Sequence, residues 1–365
     1  MTAQESRPRI SIPLAPIDEV STIVAWAAMV ITLVLTVAAM RLARGLMLPV
    51  VMAILLTLLL SAPVRWLRKW HIPERFGAAI VVFGMVGAAV GAGALLVSPA
   101  IDWVNAAPLT LQKVERKIRL ISQPLATLQK SAEQMERVGA APHEGSVSQV
   151  QVTTPGLFAR ISLEATQAVP ALLSVVFLTY FLLASGPLFR RKLAEFMPGR
   201  GEVKHIEHLL STIEISTSRF LATTFAINAG VGIVTALALW AVGVPSAPLG
   251  GALAAVLNFV PYLGPLVTVS VIALAALASI DNTAHALLAP ALFVLIHLVE
   301  SNVVTPTLLG RRLPLNTVTI FLGLIFFSWV WGVPGAVIAV PLTVVAKLAC
   351  DHIPSLHRLG ALLDS

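Results

Sequence analysis

The chain has 365 residues, of which 57% are hydrophobic and only 12% charged. Ordinary soluble domains carry roughly 25% charged residues, so this chain lacks the ionised groups needed to cover a soluble surface. The net charge of +7 and the pI of 10.1 would suggest a nucleic-acid partner on a soluble protein. Here the placement of the charges accounts for the excess without nucleic acid.

Charge-free stretches delimit the membrane segments. Glu19 and Arg41 enclose 21 uncharged residues, Arg44 and Arg65 enclose 20, and Arg75 and Asp102 enclose 26. Glu164 to Arg190 encloses 25, Arg219 to Asp281 encloses 61, Asp281 to Glu300 encloses 18, and Arg312 to Lys347 encloses 34. A bilayer core about 30 Å thick needs roughly 20 apolar helical residues. The stretches therefore predict an all-α, polytopic membrane protein with about eight transmembrane helices: 20–40, 45–63, 76–98, 166–186, 219–243, 248–280, 284–305 and 315–347. Some are broken or re-entrant, because Gly332, Pro334 and Gly335 interrupt the last and make it a long span, two half-helices or a hairpin. Spans one to three fall within 1–98, an external segment occupies 99–165, spans four to eight fall within 166–350, and 351–365 form a tail.

The first apolar run follows a region with two Arg against three acids and exceeds a secretory h-region, so it is read as a retained span. The lone Cys350 excludes an intrachain disulfide or a multi-cysteine zinc site. With the N-terminus in the cytoplasm, Arg65, Arg68, Lys69 and Arg75 lie inside, as do Arg190, Arg191, Lys192, Arg200, Lys204 and Arg219. The short outer loops then hold only Arg41, Arg44, Arg311 and Arg312, and Asp281 caps a helix at the cytoplasmic surface.

Two other segments have their own periodicity. Over 108–138, Leu111, Val114, Ile118, Ile121, Leu125, Leu128, Ala132 and Met135 alternate at three and four, a heptad seam interrupted by Pro124. The seam packs on the protein's own outer surface or joins copies of the chain, which leaves a homo-oligomer open; residues 139–156 read as a loop. Over 201–218, Val203, Ile206, Leu210 and Ile213 share a face, the pattern of an interfacial helix on the inner leaflet. His205 and His208 within it have the spacing of metal ligands but no third partner, so a solvated surface is the favoured reading.

Catalytic signatures are missing. There is no phosphate-binding Gly-x-x-x-x-Gly-Lys loop, no His-Glu-x-x-His and no Gly-x-Ser-x-Gly elbow. No cofactor or enzymatic activity is expected. What stands out is polar residues at membrane depth. Between Phe220 and Gly310 there is no Lys or Arg, and the only acids are Asp281 and Glu300. A central carboxylate costs about 2.5–3.5 kcal/mol on insertion scales, so Glu300 should be neutralised, hydrogen-bonded or facing a wet cavity. His297 lies one turn earlier, Asn302 and Thr305 follow, and Pro306 should break the helix and free backbone carbonyls for a cation or polar solute. The alternative is a structural carboxylate at the membrane interface.

The second constellation is Asn258-Phe259-Val260-Pro261-Tyr262-Leu263-Gly264-Pro265. Pro261, Gly264 and Pro265 cannot continue a helix, although apolar helical sequence flanks them. This reads as a broken membrane helix, the kind of element on which transporters bind solutes; a tight hairpin of two short helices is the alternative.

These motifs carry a family resemblance. Val244-Pro245, Leu249-Gly250 and Leu257 through Pro265, then Glu300-Ser301-Asn302-Val303-Val304-Thr305-Pro306 with Gly310, resemble the bacterial autoinducer-2 exporter family of permease-like membrane proteins. Gly332-Val333-Pro334-Gly335 through Leu342, and Tyr180-Phe181-Leu182-Leu183 before a basic loop, are similar to further family motifs. The resemblance implies about eight spans, residence in the bacterial inner membrane, and transport, with autoinducer-2 export and sodium/proton exchange both represented.

The expected function is a secondary transporter exporting a small polar solute such as autoinducer-2. Glu300, Asn302, Asn258, Pro261, Gly264, Pro306 and His297 form the expected substrate or ion site. Partners are the lipid bilayer and a small polar solute or cation. The alternatives are a sodium/proton antiporter and a non-transporting scaffold that uses the 108–138 seam.

Overall fold

The computed structural model describes residues 17–103, 155–186, 188, 191–192, 203–309 and 316–352. The external seam at 108–138, the loop 139–156 up to residue 154, and the tail from 353 lie outside them. The chain divides into Met1–Met47 and Leu48–Ser365. The first unit holds α1 (Ile17–Leu42) and the opening of α2 (Arg44–Arg68). Where side chains are described, α1 buries none of its span window within the protein, as befits a helix solvated by lipid.

The second unit contains the rest of α2, then α3 (Glu74–Trp103), α4 (Pro155–Ala184) and α5 (Val203–Val242). Helices α2, α3 and α4 meet in a cluster of Val64, Ala78, Val82 and Leu183. Proline inside α2 and α4 (Pro49, Pro63, Pro170) is tolerated because neighbouring helices can satisfy the freed carbonyls. Helices α2 and α4 are also linked directly, where the Thr179 hydroxyl of α4 donates to the carbonyl of Ala53 of α2 at 3.4 Å.

Helix α5 corrects an expectation. The interfacial helix read at 201–218 and the span read at 219–243 are one continuous helix of 40 residues, roughly 60 Å long. No glycine or proline lies between Val203 and Asn228 to break it. A guanidinium secures its first half: Arg65 of α2 donates to Ser61 at 2.8 Å and to Ser218 of α5 at 2.8 Å, with Glu214 3.7 Å away. The helix ends at Gly243, whose φ of +82° suits glycine. The amides of Gly243 and Val244 donate to the carbonyls of Trp240 and Leu239, closing the last turn.

The two irregular stretches are both hairpins. The first joins α6 (Ala247–Leu257) to α7 (Leu263–Ser279). Leu249, Gly250 and Leu253 of one leg line the same small cavity as Val271, Ile272 and Ala275 of the other, the pairing of antiparallel legs. A helix of 11 residues spans roughly 16 Å, too little to cross a bilayer. Helix α8 (Thr283–Val299) follows, and His285 Nε2 lies 3.0 Å from the carbonyl of Val242. The segment 248–280 therefore leaves and returns at one end of α5, and of the two readings of this stretch the hairpin is the one that forms. Asn282, and not Asp281, caps α8, its Oδ1 accepting from the amides of Ala284 and His285; Asp281 is exposed.

After α8 the chain makes a π-helical turn, Glu300–Val304, and continues as α9 (Thr305–Leu309). The second hairpin joins α10 (Thr317–Trp331) to α11 (Val333–His352). It reverses at Gly332, whose φ is +69°, and a Cβ on Gly335 would overlap the carbonyl oxygen of Phe327. Leu309, Leu348 and Phe220 line one cavity, so this hairpin also returns to the end where α9 stops. Of the readings of 315–347, the hairpin is again the one that forms.

The core is built from α5 to α8: Ile227, Val231, Leu239, Ala254, Ile272, Ala286, Ala289 and Phe293. Between helices in lipid, close packing of small residues replaces the hydrophobic drive. Gly232 abuts the Gly251 carbonyl and Ala255, and Gly251 abuts Ala236. The tip of the first hairpin packs on the legs of the second through Val260, Leu324 and Ala339, and the Tyr262 and Phe321 rings lie 5.9 Å apart.

Candidate functional site

Glu300 sits where α8 changes register. Pro306 has no amide hydrogen, and its ring excludes the carbonyl four residues back from normal helical placement. The helix widens instead of breaking, and the amide of Thr305 donates to the carbonyl of Glu300, five residues away. In an α-helix the neighbour above Glu300 would be Val304; the wider turn puts Thr305 there. The Thr305 hydroxyl donates to Glu300 Oε1 at 2.5 Å. Pro306, expected as a helix breaker, acts as a register shifter and is itself exposed.

The other carboxylate oxygen, Oε2, lies 3.3 Å from His297 Nδ1. That nitrogen is buried without an aligned hydrogen bond, so the contact is a close charge–dipole approach that becomes an ion pair when the ring is protonated. The His297 ring stacks on Phe293, with planes 11° apart and centroids at 6.3 Å, which fixes its orientation. The Glu300 side chain is only 12% exposed. It opens into a cleft of about 780 Å³ between α5 and the α8–α9 stretch, lined otherwise by apolar residues such as Ala226, Val231 and Ile296, and by Thr223.

The seven expected site residues separate into groups. His297 and Pro306 join Glu300, one by contact and the other through the backbone. Asn302 does not: it is exposed, and its amide donates to the carbonyl of Leu298 at 2.8 Å and to Ser301 at 3.1 Å. Asn258, Pro261 and Gly264 lie at the tip of the first hairpin and do not line the Glu300 cleft. There Asn258 Nδ2 donates to Asn228 Oδ1 of α5 at 2.9 Å. Pro261 and Tyr262 make a γ-turn: Tyr262 has φ +63° and ψ −53°, and the amide of Leu263 donates to the carbonyl of Pro261 at 2.7 Å. This turn is rare and strained for a residue with a side chain. Gly264 is obligatory, because a Cβ would overlap the Leu257 carbonyl.

Sequence reasoning missed Asn228, which is 4% exposed on α5. The available signal was polar spacing inside an apolar helix, since Thr217, Thr224, Asn228 and Thr235 recur at seven, four and seven. Among the described residues, no group of three or more histidines, cysteines or acids could hold a metal ion.

Five described helices are long and apolar enough to cross a membrane, and shorter apolar helices accompany them. With a nearly buried carboxylate on one of those helices, the fold is that of a polytopic, all-helical membrane protein. The chain belongs to the AI-2E transporter family: residues 29–355 match the family described as "AI-2E family transporter". It is 26% identical over 337 residues to "AI-2 transport protein TqsA" of Escherichia coli K12, covering 91% of this chain and 93% of that protein. It is 24% identical over 335 residues to "Putative transport protein YhhT" of the same organism, covering 91% and 92%. A "Putative transport protein MT0215" of Mycobacterium tuberculosis is 26% identical over 303 residues, covering 80% and 79%.

Proposed function

We propose that this chain is a secondary transporter that exports a small polar solute of the autoinducer-2 class, driven by proton exchange at Glu300. The carrying observation is the carboxylate itself. It is nearly buried, accepts from Thr305 and approaches His297 at the edge of an intramembrane cleft. A carboxylate that meets both a hydroxyl donor and an imidazole can take up or release a proton without losing all its partners. The printed name of the TqsA relative supports the choice of solute, and the two hairpins supply irregular backbone of the kind on which transporters hold solutes.

The same reading revises the membrane orientation. With the start of α5 in the cytoplasm, its far end, Asp281 and both ends of the first hairpin face outward. The location that goes with this reading is the bacterial inner membrane.

A sodium/proton antiporter would use the same carboxylate. Purified protein in liposomes carrying an internal pH dye separates the two. Autoinducer-2 flux that accelerates with a pH gradient supports export, whereas sodium-evoked pH change with no autoinducer-2 flux replaces it with antiport.

A further inference from the structure

Helix α5 carries a straight row of polar side chains whose hydrogen-bonding groups are unmet. Thr217, Thr224, Asn228 and Thr235 lie seven, four and seven residues apart, within about 20° of one line down the helix. From first to last the row rises roughly 27 Å, close to the thickness of a hydrocarbon core. The hydroxyls of all three threonines and Nδ2 of Asn228 are buried and have no partner. Thr217 and Thr235 are fully buried, and Asn228 nearly so. Five other described helical threonines behave differently. Thr32, Thr57, Thr212, Thr268 and Thr343 each satisfy the hydroxyl on the carbonyl four residues back. The row threonines leave that local option unused, and four unmet groups on one line are too costly in a membrane interior to be incidental.

At the row's middle the strained tip of the first hairpin reaches α5. The Asn258 amide occupies Asn228 Oδ1, and Asn228 Nδ2 remains unmet beside it. The Tyr262 γ-turn, four residues on, is the point at which this tip is least relaxed.

We propose that this row is the path by which the solute crosses, with Asn228 as its central recognition group and Asn258 as the cap that replaces the solute in the closed arrangement seen here. The row's chemistry names the class of solute. Hydroxyls and amides both give and accept hydrogen bonds and bear no charge. They match a neutral molecule with several hydroxyl or carbonyl groups, and the row offers neither a negative charge for a cation nor a positive charge for an anion. The inference rests on the transporter reading above. It assigns the solute to α5 and leaves proton exchange to Glu300, on a different helix.

The test starts from the Cys350→Ser protein in liposomes, which has no native thiol. Single cysteines replace Thr217, Thr224, Asn228 and Thr235, with Ile233→Cys and Leu237→Cys as controls on the side of α5 that is 61% and 59% exposed. The probe is 2-hydroxyethyl methanethiosulfonate, which is neutral and hydroxylated. The row cysteines are expected to react at least tenfold faster than the controls, and equal rates would overturn the path. Thr224→Val and Thr235→Val give a second reading. Each replaces an unmet hydroxyl with a methyl of the same shape, so Tm should hold or rise while autoinducer-2 flux falls severalfold. Wild-type flux in both variants would overturn the assignment. Labelled row cysteines in a protein without autoinducer-2 flux would keep the path and remove the solute; flux with unlabelled row cysteines would do the reverse.

Discussion

The Thr305 hydroxyl reaches the carboxylate of Glu300 across five residues, and only a π-helical turn makes that possible. In regular α geometry the two side chains would point about 140° apart. Pro306 is the cause, and the register it sets carries on through α9.

Thr305→Val should therefore weaken Glu300 without unfolding the helix. A hydrogen bond to a charged group contributes about 1.5–3 kcal/mol. Proton-coupled flux is expected to fall by roughly ten- to a hundredfold, with little change in Tm. Normal coupled flux would show that the hydroxyl does not support the carboxylate.

Pro306→Ala tests the same device from the backbone. It restores an amide hydrogen and lets the π turn relax to α geometry, which exchanges Thr305 for Val304 beside Glu300. Stability should rise while coupled flux falls to the level of Thr305→Val. If Pro306→Ala and Thr305→Val act independently in a double-mutant cycle, the register argument is wrong.

The glycines separate close approach from conformational freedom. Gly264→Ala forces a methyl into the Leu257 carbonyl and should destabilise the first hairpin by about 3 kcal/mol or more. Gly243→Ala, at φ +82°, should lower stability by about 1–2 kcal/mol. Gly230→Ala meets no atom within 4 Å and should be neutral or slightly stabilising. Thermal unfolding in detergent orders the three, and any other order contradicts the packing described.

Orientation is open to a direct check. Asp281→Cys and Asp351→Cys in the Cys350→Ser background should label from opposite sides of the membrane, Asp281→Cys from outside. Eight full spans would put both cysteines in the cytoplasm, so labelling of both from that side would restore the eight-span topology.

The parts of the fold that a sequence shows well are those governed by local chemistry. The long helices and the isolation of Glu300 follow from where charges are missing. The hairpins were ambiguous because hydropathy counts apolar residues and not crossings: the 61 uncharged residues after Arg219 suit two spans or a span with a hairpin equally. The contact that decides is non-local, between Val242 and His285. The continuity of α5 was masked by the amphipathic pattern of its first turns, which is equally that of a helix projecting beyond the bilayer. Asp281 and Asn282 are both good caps, and one residue of register separates them. Thr305 was invisible as a partner because an i, i+5 pair has meaning only once the π turn is known. Asn228 was hidden for a related reason, since its significance comes from Asn258, brought to it by a turn 30 residues later.

The most direct measurement is autoinducer-2 efflux from liposomes containing wild-type protein or Glu300→Gln, each with and without an imposed pH gradient. The glutamine keeps the shape and can still accept from Thr305 but cannot exchange a proton. Wild-type efflux should accelerate with the gradient, and Glu300→Gln efflux should be slow and indifferent to it. Gradient-driven efflux at the wild-type rate in Glu300→Gln would contradict the role given to this carboxylate.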